Sequence, residues 1–209
     1  IIVLAHDDIF EGRLISEYKA EELKGRIDTL DQLLEIKPPE VGLLLDIKGN
    51  DFGIISALEN MQARINEHNI ILICFNHSLI ERIHQGGKLK NKVFLLTNSS
   101  KPCEEEFTLA TEKECDDALE IINKFLLSGI GLEYSGNDQA VRDIVSNLRK
   151  AKPKIEIQLW CYPEHEGQAL FHLARELRVD YCNTDNPEAA RRYLDIGGTQ
   201  KQTLIGIGV

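Results

Sequence analysis

The sequence predicts an α/β protein built on a parallel sheet. Short apolar runs rich in Ile, Leu and Val alternate with longer amphipathic stretches along all 209 residues. The runs lack strict apolar–polar alternation, as strands buried on both faces do. The stretches between them carry apolar residues at helical spacing, so the order strand, helix, strand, helix repeats. A barrel and an open doubly wound sheet both satisfy that order. Neither G-x-G-x-x-G nor G-x-x-x-x-G-K-[ST] occurs, which removes support from the nucleotide-binding open sheets.

The predicted strands are, in order, Ile1–Ala5, Val41–Ile47, Ile70–Phe75, Val93–Thr97, Ile130–Tyr134, Ile155–Cys161 and Val179–Thr184. Thr29 and Gln32 read as a capping box ahead of Leu33, Leu34 and Ile36, and Pro38-Pro39 stops that helix. Ile54, Leu58, Met61 and Ile65 form one helical stripe, and Ala118, Ile121, Ile122, Phe125 and Leu126 a second. Ala140, Ile144, Val145 and Leu148 make a third, ended before Pro153, and Leu170, Leu173, Ala174 and Leu177 a fourth. Asn186-Pro187 reads as an N-cap with proline at the first helical position, opening a helix through Leu194. The glycine-rich tail 197–209 is expected as an added edge strand or a loose end.

With 24 Lys+Arg against 34 Asp+Glu, the formal net charge is −10. Such a balance argues against general affinity for nucleic acid or an anionic membrane, and a small anionic ligand would need a local cation. No apolar run approaches the roughly 20 residues of a membrane span. The five cysteines (Cys74, Cys103, Cys115, Cys161 and Cys182) show no C-x-x-C spacing. They therefore give no local zinc knuckle and lean toward a reducing, cytoplasmic compartment. Ile1 is not an initiator methionine and Met61 is the only methionine. A segment upstream of Ile1 is therefore expected, and any signal peptide would lie there. The oligomeric state is not legible.

In parallel α/β folds, functional groups collect at the carboxyl ends of strands. The first run ends in His6-Asp7-Asp8, the second in Asp46-Ile47-Lys48, the third in Phe75-Asn76-His77 and the sixth in Trp160-Cys161-Tyr162. Asp46 and Lys48, two apart, share one face of a buried strand. They are either a structural pair, or a hard-cation ligand beside a phosphate-binding lysine. His6 has two carboxylates after it that can orient or charge its imidazole. Trp160 belongs to the core or to a pocket wall. His68, His84, His165 and His172 are expected at the surface, and Glu104–Glu106 on a solvated face.

Ile2-Val3-Leu4-Ala5-His6-Asp7-Asp8 resembles the "VVHDD" segment of the glycerophosphodiester phosphodiesterase family. Glu22-Leu23-Lys24 with Ile27–Leu34 resembles its "ELK…IPTLEELL", Leu44–Lys48 its "NIEIK", and Cys74–His77 its "SFNH". Trp160 stands where "WTVN" falls, and Val179–Pro187 resembles "GVDGIITDYP". The ordered set spans nearly the whole chain.

The resemblance implies a TIM barrel that cleaves a glycerophosphodiester to glycerol phosphate and an alcohol, with Mg²⁺ or Ca²⁺ on the phosphate and two histidines as acid and base. His6 matches the second histidine, Asp46 a metal carboxylate, Lys48 the phosphate-neutralising lysine and Trp160 the substrate-pocket tryptophan. The family's opening "HRG" and "E-x-D" strands have no counterpart here. The expectation is therefore a partial barrel domain over 1–196, its first strand-helix unit missing or incomplete, followed by the tail 197–209. Six strands cannot close an eight-stranded barrel without open edges. Two other functions stay open: a non-catalytic relative that binds a phosphorylated ligand or a protein, and a phospholipase D-type enzyme on lysolipids or sphingolipids.

Overall fold

The computed structural model describes residues 1–7, 9–38, 40–48, 52–98, 107–108, 112–194 and 204–208. Asp8, Pro39, Cys103, the Glu104–Glu106 run and Gly197-Gly198 lie outside them. In chain order the elements are β1 (Ile9–Phe10), β2 (Arg13–Leu14), α1 (Ala20–Leu23), α2 (Leu30–Ile36), β3 (Gly42–Asp46), α3 (Gly53–Asn60), α4 (Gln62–Glu67), β4 (Ile70–Cys74), α5 (His77–Gly86) and β5 (Lys92–Asn98). They continue as β6 (Phe107–Thr108), α6 (Glu112–Lys124), β7 (Gly129–Glu133), α7 (Asp138–Ala151), β8 (Glu156–Trp160), α8 (Gln168–Glu176), β9 (Tyr181–Cys182), α9 (Pro187–Leu194) and β10 (Leu204–Gly208). Two compact units result, Ile1–Lys92 with Gln202–Val209, and Val93–Lys201.

In the first unit the strand order is β10–β3–β4, with both ladders parallel. Leu43, Leu45 and Ile47 on one face of β3 and Leu44 on the other are all at most 2% exposed, which is why the run reads as continuous apolar sequence. Ile55 and Leu58 of α3, Ile65 of α4, and Leu79, Ile80 and Ile83 of α5 are buried with them. Each such side chain contributes about 1.5–3 kcal/mol by leaving water. The capping box forms: the Thr29 hydroxyl accepts the Gln32 N–H at 3.3 Å, and Gln32 Oε1 accepts the Thr29 N–H at 2.9 Å.

Several expectations for this unit need correction. The first run forms no sheet strand. Val3 makes a single antiparallel bridge to Thr29, and the Leu4 and Leu30 N–H groups bond the Asp28 and Ile2 carbonyls at 2.9 Å each. Ile2 is buried there while Ile1 stays 67% exposed, so the run clasps the start of α2 and contributes one residue to the core without joining the sheet. The single helix expected through Met61 is two, because Met61 turns to φ −95°, ψ 6°. Its apolar stripe survives the turn, which is why spacing alone could not reveal the break. The hairpin β1–β2 was not expected: Glu11 (φ 48°) and Gly12 (φ 79°) form its turn, and only Gly12 announces it. α5 follows an Asn76 side chain that accepts the Ser78 and Leu79 N–H groups, and ends at Gly87 with φ 64°.

In the second unit the order is β5–β7–β8–β9, with β6 also on β5, and every ladder is parallel. Phe94 of β5 and Tyr181 of β9 have ring centroids 5.6 Å apart, although β7 and β8 lie between their strands. Three flat strand spacings would separate them by roughly 14 Å, so this ladder curls with both rings on its concave face. Register places Gly129 and Gly131 of β7 on that face. The strand expected over Val179–Thr184 narrows to two residues, although the flanking Asp180 and Asn183 N–H groups still bond the Ile157 and Leu159 carbonyls at 2.8 Å.

The protein is thus an α/β fold with parallel strands. The described strands do not form the complete eight-unit barrel that the resemblance implies. Within the tail expected at 197–209, Leu204–Gly208 takes the edge-strand alternative beside β3.

Candidate functional site

Asp46 closes β3, and the two-residue period carries Leu44, Asp46 and Lys48 to one face. Lys48 Nζ lies 3.0 Å from Asp46 Oδ2, with the side chains 34% and 18% exposed respectively. Solvent therefore reaches the pair on one side, although Asp46 Oδ1 is itself buried. A pair so wetted adds only about 0–1 kcal/mol to stability. An ammonium has three donors and a carboxylate takes one, which leaves capacity for an anionic ligand.

The sides of the pair differ. On the β4 side Asp46 is in register with Ile73, which is 3% exposed. On the β10 side its register partner is Gly208. Beyond Ile73, the Cys74 thiol is pushed up to about 12 by burial, and the Asp46 carboxylate pushes it in the same direction. At neutral pH that thiol is a buried apolar group and no nucleophile.

His6 stands apart from this end of β3. Its side chain is 91% exposed, and its Nδ1 meets Asp7 Oδ1 at 2.9 Å. Among the described residues Asp7 is its partner, and no contact joins it to Asp46 or Lys48. His77 is the first residue of α5 and exposed.

Trp160 lies in the second unit, at the end of β8. It is half-buried, meets Tyr162 edge-on with centroids 5.7 Å apart, and its carbonyl accepts the Tyr134 N–H at 2.7 Å. In register beside it on β7 is Glu133, a carboxylate only 4% exposed. Two residues before it, on the same face, Gln158 is fully buried and donates to Asn183 Oδ1 at 3.0 Å. Neither residue was singled out from the sequence. Glu133 could have been, because a charge ending an apolar run is the signal that exposed Asp46.

A second cluster was half legible: Thr184, Asp185 and Asn186 end the last predicted strand, whereas Glu166 gave no sequence signal. The Glu166 carboxylate, in the loop after β8, accepts the Thr184 hydroxyl and the N–H groups of Asp185 and Asn186, the latter two at 3.0 Å. Burial alone would raise its pKa, but these three donors outweigh it and hold the group below the ordinary glutamate value. Burial, with carboxylates at Glu166, Asp185, Glu164 and Glu133, pushes the Cys161 thiol up to about 11. Burial and the neighbouring Cys161 push Cys182 up to about 12.

The described residues do not assemble a site for Mg²⁺ or Ca²⁺. Such cations take six or more oxygen ligands, several of them carboxylate. Asp46 offers one carboxylate, already ion-paired to Lys48, and no group of three His, Cys, Asp or Glu side chains converges among the described residues. No helix among them is long and apolar enough to cross a membrane.

No family model and no curated protein matches this chain. Solved structures do. A glycerophosphoryl diester phosphodiesterase from Parabacteroides distasonis superposes with a TM-score of 0.62 at 16% identity, over 95% of this chain and 73% of its own. A deoxyribose phosphate aldolase from Aeropyrum pernix does so with a TM-score of 0.50 at 12% identity, over 87% and 85%. At these identities the likeness is one of fold.

Proposed function

We propose that the protein recognises the phosphodiester group of a glycerophosphodiester at the carboxyl end of β3, with Lys48 as the phosphate-binding cation and Asp46 as its orienting partner. The observation that carries this reading is the wetted Asp46–Lys48 pair at the end of a parallel strand, where ligands gather in such folds. In a chain of net charge −10, this local ammonium is what an anionic ligand requires. The likeness of fold to a glycerophosphoryl diester phosphodiesterase supports the choice of ligand. Lys48 offsets phosphate charge, and Asp46 fixes where the ammonium points.

Hydrolysis is the second reading, favoured by that same neighbour's activity. In it water attacks the phosphorus, and His6, oriented by Asp7, gives a proton to the leaving alkoxide oxygen as its P–O bond breaks. That role requires His6 to reach a phosphate held at Lys48.

Titration calorimetry of the full chain with sn-glycerol 3-phosphate and glycerophosphoethanolamine, in EDTA and in Mg²⁺, tests the first reading. Phosphorus NMR of the same mixtures tests the second. Lys48→Ala is expected to weaken both ligands by about tenfold or more, equivalent to about 1.4 kcal/mol. Unchanged affinity in that variant, or no binding by the parent chain, overturns the recognition reading. Turnover that His6→Ala abolishes would establish the hydrolytic one.

A further inference from the structure

We infer that the amino ends of β7, β8 and β9 form a basic face that docks on an anionic phospholipid surface, with Leu126 entering the headgroup layer and Lys150, Lys154, Arg175 and Arg178 meeting lipid phosphates. The inference is independent of Lys48 and of any ligand held there.

The α6–β7, α7–β8 and α8–β9 loops meet at this face, and hydrogen bonds staple them together. Lys152 Nζ donates to the Leu127 carbonyl at 3.2 Å, and the Glu156 N–H to the Ser128 carbonyl at 3.1 Å. The Arg149 guanidinium spans the Leu177 and Arg178 carbonyls, the latter at 2.9 Å. Both of these cations are held by backbone carbonyls, which leaves their charge uncancelled. Lys150, Lys154, Arg175 and Arg178 are exposed, and among the described residues no carboxylate pairs with any of them. The acids nearby are engaged otherwise: Asp180 accepts the Ile157 N–H, Glu156 the Tyr181 hydroxyl, and Glu176 pairs with Arg142.

Helix dipoles favour cations in a last turn, which accounts for Arg149, Lys150 and Arg175. They do not account for Lys154, beyond the end of α7, or for Leu126. Leu126 and Arg178 hold φ 52° and 50°, in turns where the Leu127 and Val179 N–H groups bond the Ile122 and Ala174 carbonyls at 2.9 and 3.0 Å. Glycine is favoured at such helix ends because a β-carbon is penalised there. Leu126 is 78% exposed, so packing does little to offset that penalty.

The net charge of −10 does not oppose docking. Salt screens charges beyond about 8 Å, so headgroups respond to the face they touch. Single-stranded nucleic acid calls for exposed aromatic rings, and a protein partner for an apolar patch rich in aromatics. The exposed large apolar side chain on these loops is Leu126, an aliphatic one. A bilayer takes dispersed cations together with an aliphatic group that dips between headgroups.

Flotation of the full chain with vesicles of phosphatidylcholine, alone or mixed with phosphatidylserine, tests this. Binding is expected to the mixed vesicles only, and is expected to be lost between about 0.1 M and about 1 M salt. Leu126→Gly relieves the left-handed turn, so the fold is kept, and should weaken binding about tenfold. Lys150→Ala, Lys154→Ala and Arg178→Ala should each weaken it about fivefold. No binding to mixed vesicles, equal binding to both kinds, or undiminished binding by Leu126→Gly overturns the inference. Binding of a single-stranded RNA that the same substitutions weaken, without vesicle binding, assigns the face to nucleic acid and overturns it too. Far-ultraviolet circular dichroism checks each variant; if a cation variant unfolds, Leu126→Gly and the salt series decide.

Discussion

The Phe94 ring fills the space that a side chain at Gly129 would need: a Cβ there would lie 2.6 Å from the ring and 2.6 Å from the Glu156 carbonyl oxygen. The curl of the second unit depends on this substitution of an aromatic ring from β5 for a missing side chain on β7. Gly129→Ala is expected to cost about 2–3 kcal/mol, the upper part of the range for overpacking. At Gly131 the nearest atom is a Leu96 methyl at 2.4 Å, the end of a flexible side chain, so Gly131→Ala should cost less. Urea denaturation of both variants ranks them, and equal midpoints for the two would contradict the assignment.

The helix that leads into β3, α2, depends on its start. Removing the Thr29 hydroxyl leaves the Gln32 N–H without its acceptor. Thr29→Ala should lower stability by about 1 kcal/mol, whereas Thr29→Ser should leave it nearly unchanged. A loss of the same size in both variants would mean that the methyl group, and not the cap, carries the effect.

Glu166 predicts a specific acid limb. Its pKa lies below the ordinary value of 4.5 in the folded chain, so its contribution is complete above that value and fades as pH falls through the folded pKa. The stability difference between the parent and Glu166→Gln should therefore be constant in neutral solution and shrink below about pH 4.5. Chemical denaturation at a series of pH values measures it. A difference that persists unchanged into strong acid would show that the carboxylate charge is not what the three donors hold.

The thiols should be slow. With Cys74 near 12, Cys161 near 11 and Cys182 near 12, little thiolate exists at about pH 8. Iodoacetamide labelling followed by peptide mass spectrometry is expected to modify Cys161, which is partly exposed, before fully buried Cys74. Rapid modification of Cys74 in the native protein would refute its burial.

The sequence by itself determined the class of fold and most of its elements. Short apolar runs such as Leu43-Leu44-Leu45, too brief for a helix and following Pro38-Pro39, read as strands covered on both faces, and the Thr29–Gln32 box and Asn186-Pro187 mark helix starts through local hydrogen bonding alone. It also singled out Asp46 and Lys48, because two opposite charges at a two-residue interval must meet on one strand face. Only the tertiary structure decided that solvent reaches this pair, that Gly208 lies beside Asp46 from more than a hundred residues away, and that Glu166 ties two loops together. It also decided that Ile1–Ala5, apolar enough for a strand, clasps α2 instead, since its pairing depends on which backbone edge is within reach. Local chemistry is written in neighbouring residues; lateral neighbours in a parallel sheet are set by crossovers, and no short pattern in the chain encodes them.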